Sequence, residues 1–520
     1  MSKKEESLFW ADQASRKIIQ EKGNKKKYVI ASGITPSGVI HIGNFREVIT
    51  TDLVGRALKK LGKEVRFIYS WDDYDVFRKV PANMPKKDIL NKHLREPITL
   101  VPDVFECHKN YAEHNKNIFE KTIPLLGIEP EFISQVKMYK NCRYAGGIKK
   151  ALEETKLIKQ ILNQYRKQPL DEKWLPISIF CEKCNKDTIN KIEYLGEYKL
   201  RYKCSCGFED EFDFRKKGIV KLKWRIDWPM RWNYEKVDFE PAGKDHYAAG
   251  GARVTGREIA KLVYNYEAPT DLIYEWIKIK GGKQFHSSTG VATTLNEVLE
   301  IYEPAIIRYL FAGSRPNTEF AISFDLDVLK LYEDFDKCER IYYGKEKSDN
   351  KKELEQQKRI YVMSSIKLSK KMLFQPSLRH LTTIIQLYKD FNKVKEYYKL
   401  KNKLDIERLK LRYNCAKNWL EKYAPEDFKF ELQEEIPKEI QLTEKQREAL
   451  HEIASVLDKK WDENTLYEEF YNIYKRIGIT PKELFEAGYK VLLNKTKGPK
   501  LAGFILIIGK EKVKKMFKGV

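Results

Sequence analysis

The fold is decided by a stretch near the N-terminus, Tyr28-Val-Ile-Ala-Ser-Gly33-Ile-Thr-Pro-Ser-Gly-Val-Ile-His41-Ile-Gly-Asn44. The apolar run that opens it predicts a short buried strand, and the Pro-Ser-Gly triplet predicts a turn before a helix that begins near His41. Gly43 would let a flat base approach the backbone, while His41, Asn44 and the helix N-terminus would face phosphate. This pattern predicts a nucleotide site. An ordinary strand, turn and helix with a surface histidine is the alternative.

The composition predicts several domains and a polyanionic partner. With 520 residues, 42% of them hydrophobic, the chain can bury several separate cores. It has no run of about 18 apolar residues, and its Lys-rich N-terminus lacks the apolar stretch of a signal peptide, so we expect a cytoplasmic protein without a membrane segment. The net charge of +23 favours nucleic acid as a partner, although a Lys-rich proteome would produce the same bias.

A second distinctive segment lies about 240 residues downstream, at Lys280-Gly-Gly-Lys283-Gln-Phe-His-Ser287-Ser288-Thr-Gly290. Together with the HIGN stretch that starts at His41, it resembles the HIGH and KMSKS signatures of class I aminoacyl-tRNA synthetases. The resemblance implies that this loop holds the pyrophosphate end of ATP with positive charge and hydroxyl groups. Here the loop reads QFHSS, so Lys280 or Lys283 would have to replace a missing lysine. The residues expected to bind ATP or to act in catalysis are His41, Gly43, Asn44, Lys283, Gln284, Phe285, His286, Ser287 and Ser288.

Longer segments resemble one branch of that class, the archaeal-type class I lysyl-tRNA synthetases. They are Ser70-Trp-Asp-Asp-Tyr-Asp-Val-Phe-Arg-Lys-Val-Pro81, Trp224-Arg-Ile-Asp-Trp-Pro-Met-Arg-Trp232, the stretch 237–251 and Lys497-Gly-Pro-Lys-Leu-Ala-Gly-Phe-Ile. The resemblance implies lysine binding by Gly33, Thr35, Trp224 and His246.

A buried ammonium needs acceptors and an aromatic face, and Asp72, Asp73 and Tyr74 could supply them. Related glutamate-specific enzymes carry an arginine where this chain has Ala31, which argues against a glutamate substrate. The structural alternative for the three tryptophans, which recur every four residues, is a packed aromatic patch on a helix.

The stretch Phe239-Glu-Pro-Ala-Gly243 is consistent with a late strand of the same parallel sheet that ends at the ligand crevice. By resemblance, Gly243, Asp245 and His246 lie against the adenylate. The alternative for the Asp-His pair is a helix cap.

Two clusters have the spacing of metal ligands. Cys181-x2-Cys184 and Cys204-x-Cys206 indicate a small zinc ribbon, and a pair of buried thiols is the alternative. The second cluster spans twelve residues and offers an oxygen, a sulfur and two imidazoles, and similar family members bind a second zinc there. Adjacent Cys and His ligands require a turn that splays them, and solvated histidines are the alternative. Its residues are Asp103, Cys107, His108 and His114.

The sequence therefore predicts an α/β Rossmann-type catalytic domain with a zinc-bearing insertion, followed by an all-α C-terminal anticodon-binding region. Residues 1–87 would be the first Rossmann half, and 88–217 the insertion that contacts the acceptor stem and carries the structural zinc sites. Residues 218–302 would be the second half with the QFHSS loop, and 303–520 the helical stem-contact and anticodon-binding region.

The expected reaction is ATP-dependent ligation of L-lysine to tRNA(Lys) through a lysyl-adenylate, with Mg²⁺ brought by ATP and a monomer favoured. Two alternatives stay open. A non-catalytic tRNA-binding relative could carry a degraded loop, and a nucleotidylyltransferase shares the first motif.

Overall fold

The computed structural model describes residues 9–82, 84–280, 293–348 and 350–520. These residues divide into two compact units. The first comprises the chain up to Ile322 together with Cys338–Leu368, and the second comprises Ser323–Lys337 and Ser369–Val520.

The first unit alternates strands and helices in its N-terminal part. Its first elements are α1 (Trp10–Lys22), β1 (Lys27–Ile34), α2 (Ile42–Lys60), β2 (Glu64–Trp71), α3 (Lys87–Lys92), α4 (Tyr111–Thr122), β3 (Glu131–Ser134), α5 (Gln135–Lys140), α6 (Ala145–Glu153) and α7 (Thr155–Asn163). The later ones are β4 (Ile177–Ile179), β5 (Ile189–Tyr194), β6 (Lys199–Cys204), β7 (Glu209–Asp213), β8 (Val220–Leu222), α8 (Trp224–Glu235), β9 (Ala242–Gly243), α9 (Ala252–Leu262), β10 (Ile273–Tyr274), β11 (Ile277–Ile279), α10 (Leu295–Ile301), α11 (Pro304–Gly313), β12 (Phe320–Ile322), α12 (Asp327–Tyr342) and α13 (Lys351–Ser364). Single 3-10 turns occur at Ile98–Leu100, Ile123–Leu126 and Lys244–Tyr247.

A parallel sheet lies at the centre of this unit. Strand β1 pairs with β2 along its whole length, and β2 pairs with β3, in both cases parallel. Single parallel bridges join Phe239 to Ile30 and to Thr270, so the parallel pair β9 and β10 continues the sheet beyond β1. The order β3-β2-β1-β9-β10 reverses direction at β1, and ligands bind at such a reversal, beside the carboxyl ends of the strands.

Strand β3 changes the predicted limits of the insertion. It lies within 88–217, the range expected to be one insertion, yet it is a strand of the central sheet. Its four residues, Glu131–Ser134, are half-buried or exposed and carry no run of apolar side chains, so periodicity gave no signal for it. The two candidate metal clusters therefore lie on two separate segments, one before β3 and one after it.

The cysteine-rich segment is a small antiparallel structure. Strands β5, β6 and β7 form one sheet, and β4 pairs with β8 at the point where the chain leaves and rejoins the body of the unit. Alternate residues of β6 are buried and exposed, so one face packs on helices α5 to α7 while the other is solvated.

The described part of the second unit consists of helices. Besides part of α12, they are α14 (Leu378–Tyr388), α15 (Phe391–Tyr397), α16 (Lys403–Lys422), α17 (Glu444–Val456), α18 (Glu463–Ile477), α19 (Pro481–Leu493), α20 (Leu501–Ile508) and α21 (Lys510–Lys518). The range 303–520 was expected to be helical throughout, but it contains β12 after α11, and β12 pairs with β11 in the first unit. No described helix has the length and apolar character that a bilayer crossing requires.

Candidate active site and metal centres

A cavity of about 680 Å³ opens where β1 and β9 end. Its position is the one that the sheet order predicts for a ligand site. It brings together most of the described residues that the sequence nominated for binding lysine or ATP. They are Gly33, Thr35, His41, Gly43, Asn44, Asp72, Trp224, Gly243, Asp245 and His246.

The first motif forms the N-terminal cap of α2. The Nδ1 atom of His41 accepts a hydrogen bond from the Gly43 backbone N at 3.1 Å, and the Asn44 side-chain oxygen accepts one from the His41 backbone N at 3.2 Å. Because Nδ1 acts as an acceptor, the proton of the neutral imidazole lies on Nε2 and makes that atom a donor. The motif therefore combines a side-chain donor with the positive end of a helix of 19 residues, an arrangement suited to phosphate.

The loop expected to hold pyrophosphate lies outside the described residues. This applies to Lys283, Gln284, Phe285, His286, Ser287 and Ser288. The chain on its C-terminal side is described and reaches the first motif, since the Ile42 backbone N donates to the Thr293 carbonyl at 3.0 Å and His41 forms an antiparallel bridge with Thr294. On its N-terminal side, Trp276 and Ile277 line the cavity. The described residues on either side of 281–292 thus reach the cavity or the first motif.

A side chain on either of two glycines of the site would meet a neighbouring atom. A Cβ on Gly33 would lie 2.6 Å from the Ser70 carbonyl oxygen on the neighbouring strand, and one on Gly243 would lie 2.7 Å from the Asp245 carboxylate. Such contacts are closer than van der Waals packing allows. Gly33 therefore lets β1 approach β2 closely at the strand end where a ligand binds, whereas a side chain at Gly243 would require the Asp245 carboxylate to move.

Glu47 is a cavity residue that the sequence reasoning missed. One carboxylate oxygen accepts from the Gly33 backbone N at 2.9 Å, and the other accepts from the Tyr274 hydroxyl at 2.7 Å. Burial raises the pKa of Glu47 to about 8, although the two hydrogen bonds act to lower it. The sequence contained a signal for it: Glu47 follows Asn44 by three residues, so both lie on the same face of α2.

Thr35 and Asp72 line the cavity, but each already interacts with a charged side chain of the protein. The Thr35 hydroxyl donates to Asp75 at 2.7 Å, and Asp75 also pairs with the buried Lys221 of β8. Burial alone would raise the pKa of Asp75, but the charge and hydrogen bond of Lys221 hold it below its usual value. Asp72 pairs with Arg231 at 2.6 Å, which neutralises the carboxylate expected to meet lysine.

Tyr74 requires a correction. Its hydroxyl donates to the Gly218 carbonyl at 2.9 Å, and its ring packs against Tyr139 and Phe180, with centroids 5.6 Å and 4.9 Å away. It is buried in the core of the cysteine-bearing segment and does not line the cavity. The expectation that Tyr74 binds lysine is therefore wrong, because the turn after β2 directs this ring away from the sheet edge.

The four clustered cysteines lie together with a suitable geometry for zinc. Their sulfur atoms all lie within 4.8 Å of one another, and the pairs Cys181–Cys206 and Cys184–Cys204 are 3.7 Å and 3.6 Å apart. A tetrahedral site with zinc–sulfur bonds of about 2.3 Å has sulfur–sulfur edges of roughly 3.8 Å. The one-residue spacing of the second pair fits because Gly207, at φ +85°, closes a turn at the end of β6.

The second cluster is organised by the Asp103 carboxylate. It accepts from the backbone N atoms of Phe105, Cys107 and His108 at 2.8–3.0 Å. The Cys107 sulfur lies 3.1 Å from Nδ1 of His108 and 3.2 Å from Nδ1 of His114. The turn needed to splay the adjacent ligands is therefore present, and this donor set fits zinc as well.

Comparison with known proteins identifies the family. A family profile described as tRNA synthetases class I (K) matches residues 8–367. A protein of Borreliella burgdorferi named lysine–tRNA ligase is 48% identical over 98% of this chain and 99% of its own. Lysine–tRNA ligases of Treponema pallidum and Thermococcus kodakarensis are each 44% identical, over 99% and 98% of this chain and 99% of their own. These matches confirm the resemblance inferred from the motifs, and the chain belongs to the class I tRNA synthetases of the lysine type.

Proposed function

We propose that this protein ligates L-lysine to tRNA(Lys) in two steps, with lysyl-adenylate as the intermediate and AMP and pyrophosphate as products. One observation carries the proposal: a single cavity is lined by the HIGN motif, by the strand ends at Gly33 and Gly243, and by an acidic and aromatic pocket. The full-length relatives named lysine–tRNA ligase support the same reaction. We further propose that it acts as a cytoplasmic monomer.

The ATP end of the cavity is assigned to the first motif and to the end of β9. The lysine carboxylate attacks the α-phosphate in line, and the phosphorus–oxygen bond to pyrophosphate breaks. Negative charge gathers on the α-phosphate oxygens, next to the His41 Nε2 proton and the N-terminus of α2. Asp245 is suited to the ribose hydroxyls, and Mg²⁺ enters with ATP as part of the substrate.

The lysine end is assigned to Glu47, Trp224 and His246. Glu47 lines the cavity and, in its ionised form, can pair with the substrate's ammonium group. The Trp224 ring offers an apolar face to the lysine stem. Burial lowers the pKa of His246, so its ring is neutral at pH 7 and does not repel the substrate's positive charge. In the second step a terminal ribose hydroxyl of the tRNA attacks the activated carbonyl, and AMP leaves.

Lysine binding should strengthen as pH rises. With a pKa of about 8, Glu47 is mostly protonated at pH 7, whereas the bound ammonium favours the ionised form. The KM for lysine should therefore fall nearly tenfold per pH unit between about pH 6 and about pH 7, and level off above about pH 8. Aminoacylation assays at saturating ATP would measure this, with the KM for ATP over the same range as the control. A KM for lysine that does not change with pH would remove Glu47 as the titrating group.

We assign structural zinc to both clusters. One ion would be bound by Cys181, Cys184, Cys204 and Cys206, and it would link β6 to the segment before β5. The other ion would be bound by the Asp103 cluster. Neither cluster lines the cavity, so the chemistry needs no zinc-activated nucleophile. The two segments that carry them are assigned to the tRNA acceptor stem, and the helical second unit to the anticodon, whose unstacked bases can be read by stacking and edge hydrogen bonds.

Metal analysis of the purified protein should find two zinc ions per chain. Cys184→Ser should lose one ion and lower the melting temperature, because a three-ligand site no longer anchors the ribbon. His114→Ala should lose the other ion. Cys142→Ser is the matched control, since Cys142 is a half-buried thiol outside both clusters. A protein that retains full zinc content in the Cys184 variant would contradict the tetrathiolate assignment.

ATP–pyrophosphate exchange decides among the candidate functions. Exchange that depends on lysine, with or without added tRNA, supports the ligase. Adenylation of a substrate other than an amino acid would support the nucleotidylyltransferase, and tight tRNA binding without any exchange would support the non-catalytic relative. The similarity over the whole chain to lysine–tRNA ligases favours neither alternative.

A further inference from the structure

Three tryptophans form a continuous stack along α8. Trp224 and Trp228 lie parallel, with centroids 5.1 Å apart and planes 16° apart, and Trp232 follows with its centroid 4.9 Å from that of Trp228. Trp224 lines the main cavity, whereas Trp228 and Trp232 are 7% and 1% exposed. The stack therefore runs from the cavity wall into the protein.

Trp228 also supports a second residue of the cavity. The edge of the His246 ring approaches Trp228, with centroids 5.5 Å apart and planes 62° apart. Trp224 and His246 come from different elements, α8 and the 3-10 turn after β9, yet both rest on the same indole. A displacement of Trp228 would therefore move both side chains assigned to lysine.

The inner end of the stack is held by two buried ionisable residues. The Glu240 carboxylate accepts from the Trp232 indole N–H at 2.5 Å. The Arg253 guanidinium lies 4.6 Å from the Trp232 ring centroid and 5.5 Å from that of Trp228. Burial raises the pKa of Glu240, and the charge of Arg253 is the strongest influence against that shift. The four side chains form one unit of indoles between a cation and an anion.

A purely structural role does not explain Arg253 well, because burial of its guanidinium is energetically unfavourable. It is fully buried, and only its Nη2 donates, to the Pro269 carbonyl at 2.7 Å; Nε and Nη1 have no hydrogen-bond partner within the described chain. A buried donor without a partner is destabilising, and an apolar side chain would fill this space without that penalty. The guanidinium instead interacts with the two indole faces and with the charge of Glu240.

We propose that Glu240 and Arg253 are positioning residues for lysine recognition. They fix Trp228 and Trp232 from behind, and through Trp228 they set the orientation of Trp224 and His246. This inference rests on the proposed function, because it takes lysine as the ligand of those two side chains. Neither residue lines the main cavity, but Glu240 lines a small pocket of about 60 Å³ together with Trp224 and His246. The pair therefore lies at the amino-acid end and away from the ATP end.

The test compares two disruptive variants with two controls in the full-length enzyme. Arg253→Met keeps the length of the side chain but removes the cation, and Glu240→Gln keeps an acceptor for the Trp232 indole but removes the charge. Arg253→Lys retains a cation over the rings. Arg257→Met is the matched control, because Arg257 lies one turn further along α9 with a side chain that is 47% exposed. Lysine KM, ATP KM and kcat are measured for each variant, together with the change in tryptophan fluorescence on lysine binding.

Arg253→Met should raise the KM for lysine about tenfold and leave the KM for ATP within about twofold, because without the cation Trp228 no longer holds Trp224 and His246 in place. Arg253→Lys should restore most of the loss, and Arg257→Met should behave as wild type. If Arg253→Met does not fold, Glu240→Gln supplies the same comparison. If the wild-type enzyme charges tRNA with lysine but the folded variants show an unchanged KM for lysine, or a fall in kcat alone, this inference is overturned and the proposed function stands. A wild-type protein that charges no lysine overturns the proposed function and this inference with it.

Discussion

Glu47→Gln is expected to raise the KM for lysine about 100- to 1,000-fold and to leave the KM for ATP nearly unchanged. The glutamine oxygen can still accept from the Gly33 backbone N, so the strand end keeps its geometry. The neutral amide cannot balance an ammonium group inside the cavity, and leaving one buried charge without its partner costs roughly 3–5 kcal/mol. Steady-state aminoacylation with varied lysine measures the change. The pH dependence of the lysine KM should also disappear in this variant.

Asp52→Asn is the control for Glu47→Gln. Asp52 lies on the same helix and pairs with Arg308 at 2.7 Å, but it does not line the cavity. Its loss should lower the melting temperature without changing the KM for lysine. If Glu47→Gln binds lysine as tightly as the wild-type enzyme, the ammonium is held by another group and the assignment of the lysine end fails.

His41→Asn should lower the rate of adenylate formation about 100- to 1,000-fold and have little effect on the KM for lysine. Asparagine is a good N-cap residue, so α2 should still begin at the same position. What the variant loses is the Nε2 donor beside the α-phosphate, and removal of one donor to a developing negative charge costs roughly 3–4 kcal/mol of transition-state stabilisation. Pre-steady-state formation of lysyl-adenylate separates this step from transfer to tRNA.

His93→Asn is the matched control for the histidine variant. The His93 ring pairs with Glu96 at 2.9 Å at the end of α3 and does not line the cavity. This variant should keep wild-type rates. A His41→Asn enzyme with a normal rate of adenylate formation would show that phosphate stabilisation comes from elsewhere, and the residues of the QFHSS loop would then be the next to examine.

The tryptophans show where sequence reasoning was incomplete. Their four-residue spacing allowed two interpretations, lysine binding and a packed aromatic patch, and the structure separates the three residues by position. Trp224 lines the cavity, whereas Trp228 and Trp232 pack behind it. Periodicity assigns residues to one face of a helix, but it carries no information on where along that face the protein interior begins.

Asp72 and Tyr74 show a related difficulty. Both stand next to the end of β2 and have suitable chemistry for lysine. The structure gives Asp72 a partner in Arg231, which lies far away in the sequence, and buries Tyr74 in another core. The pairing of a carboxylate with an arginine 159 residues later depends on packing and leaves no local signal.

Four features could be predicted from the sequence alone: the strand and turn before His41, the cap of α2, the ligand spacing of both metal clusters and the resemblance to a synthetase family. Each of these depends on residues close together in sequence, or on a motif that a relative shares. The position of Glu47 beside Gly33 and Tyr274, the place of β3 in the central sheet and the ion pairs behind Thr35 and Asp72 emerged only from the folded chain. They depend on contacts across tens to hundreds of residues, which are formed by packing of the whole unit and not by any local preference.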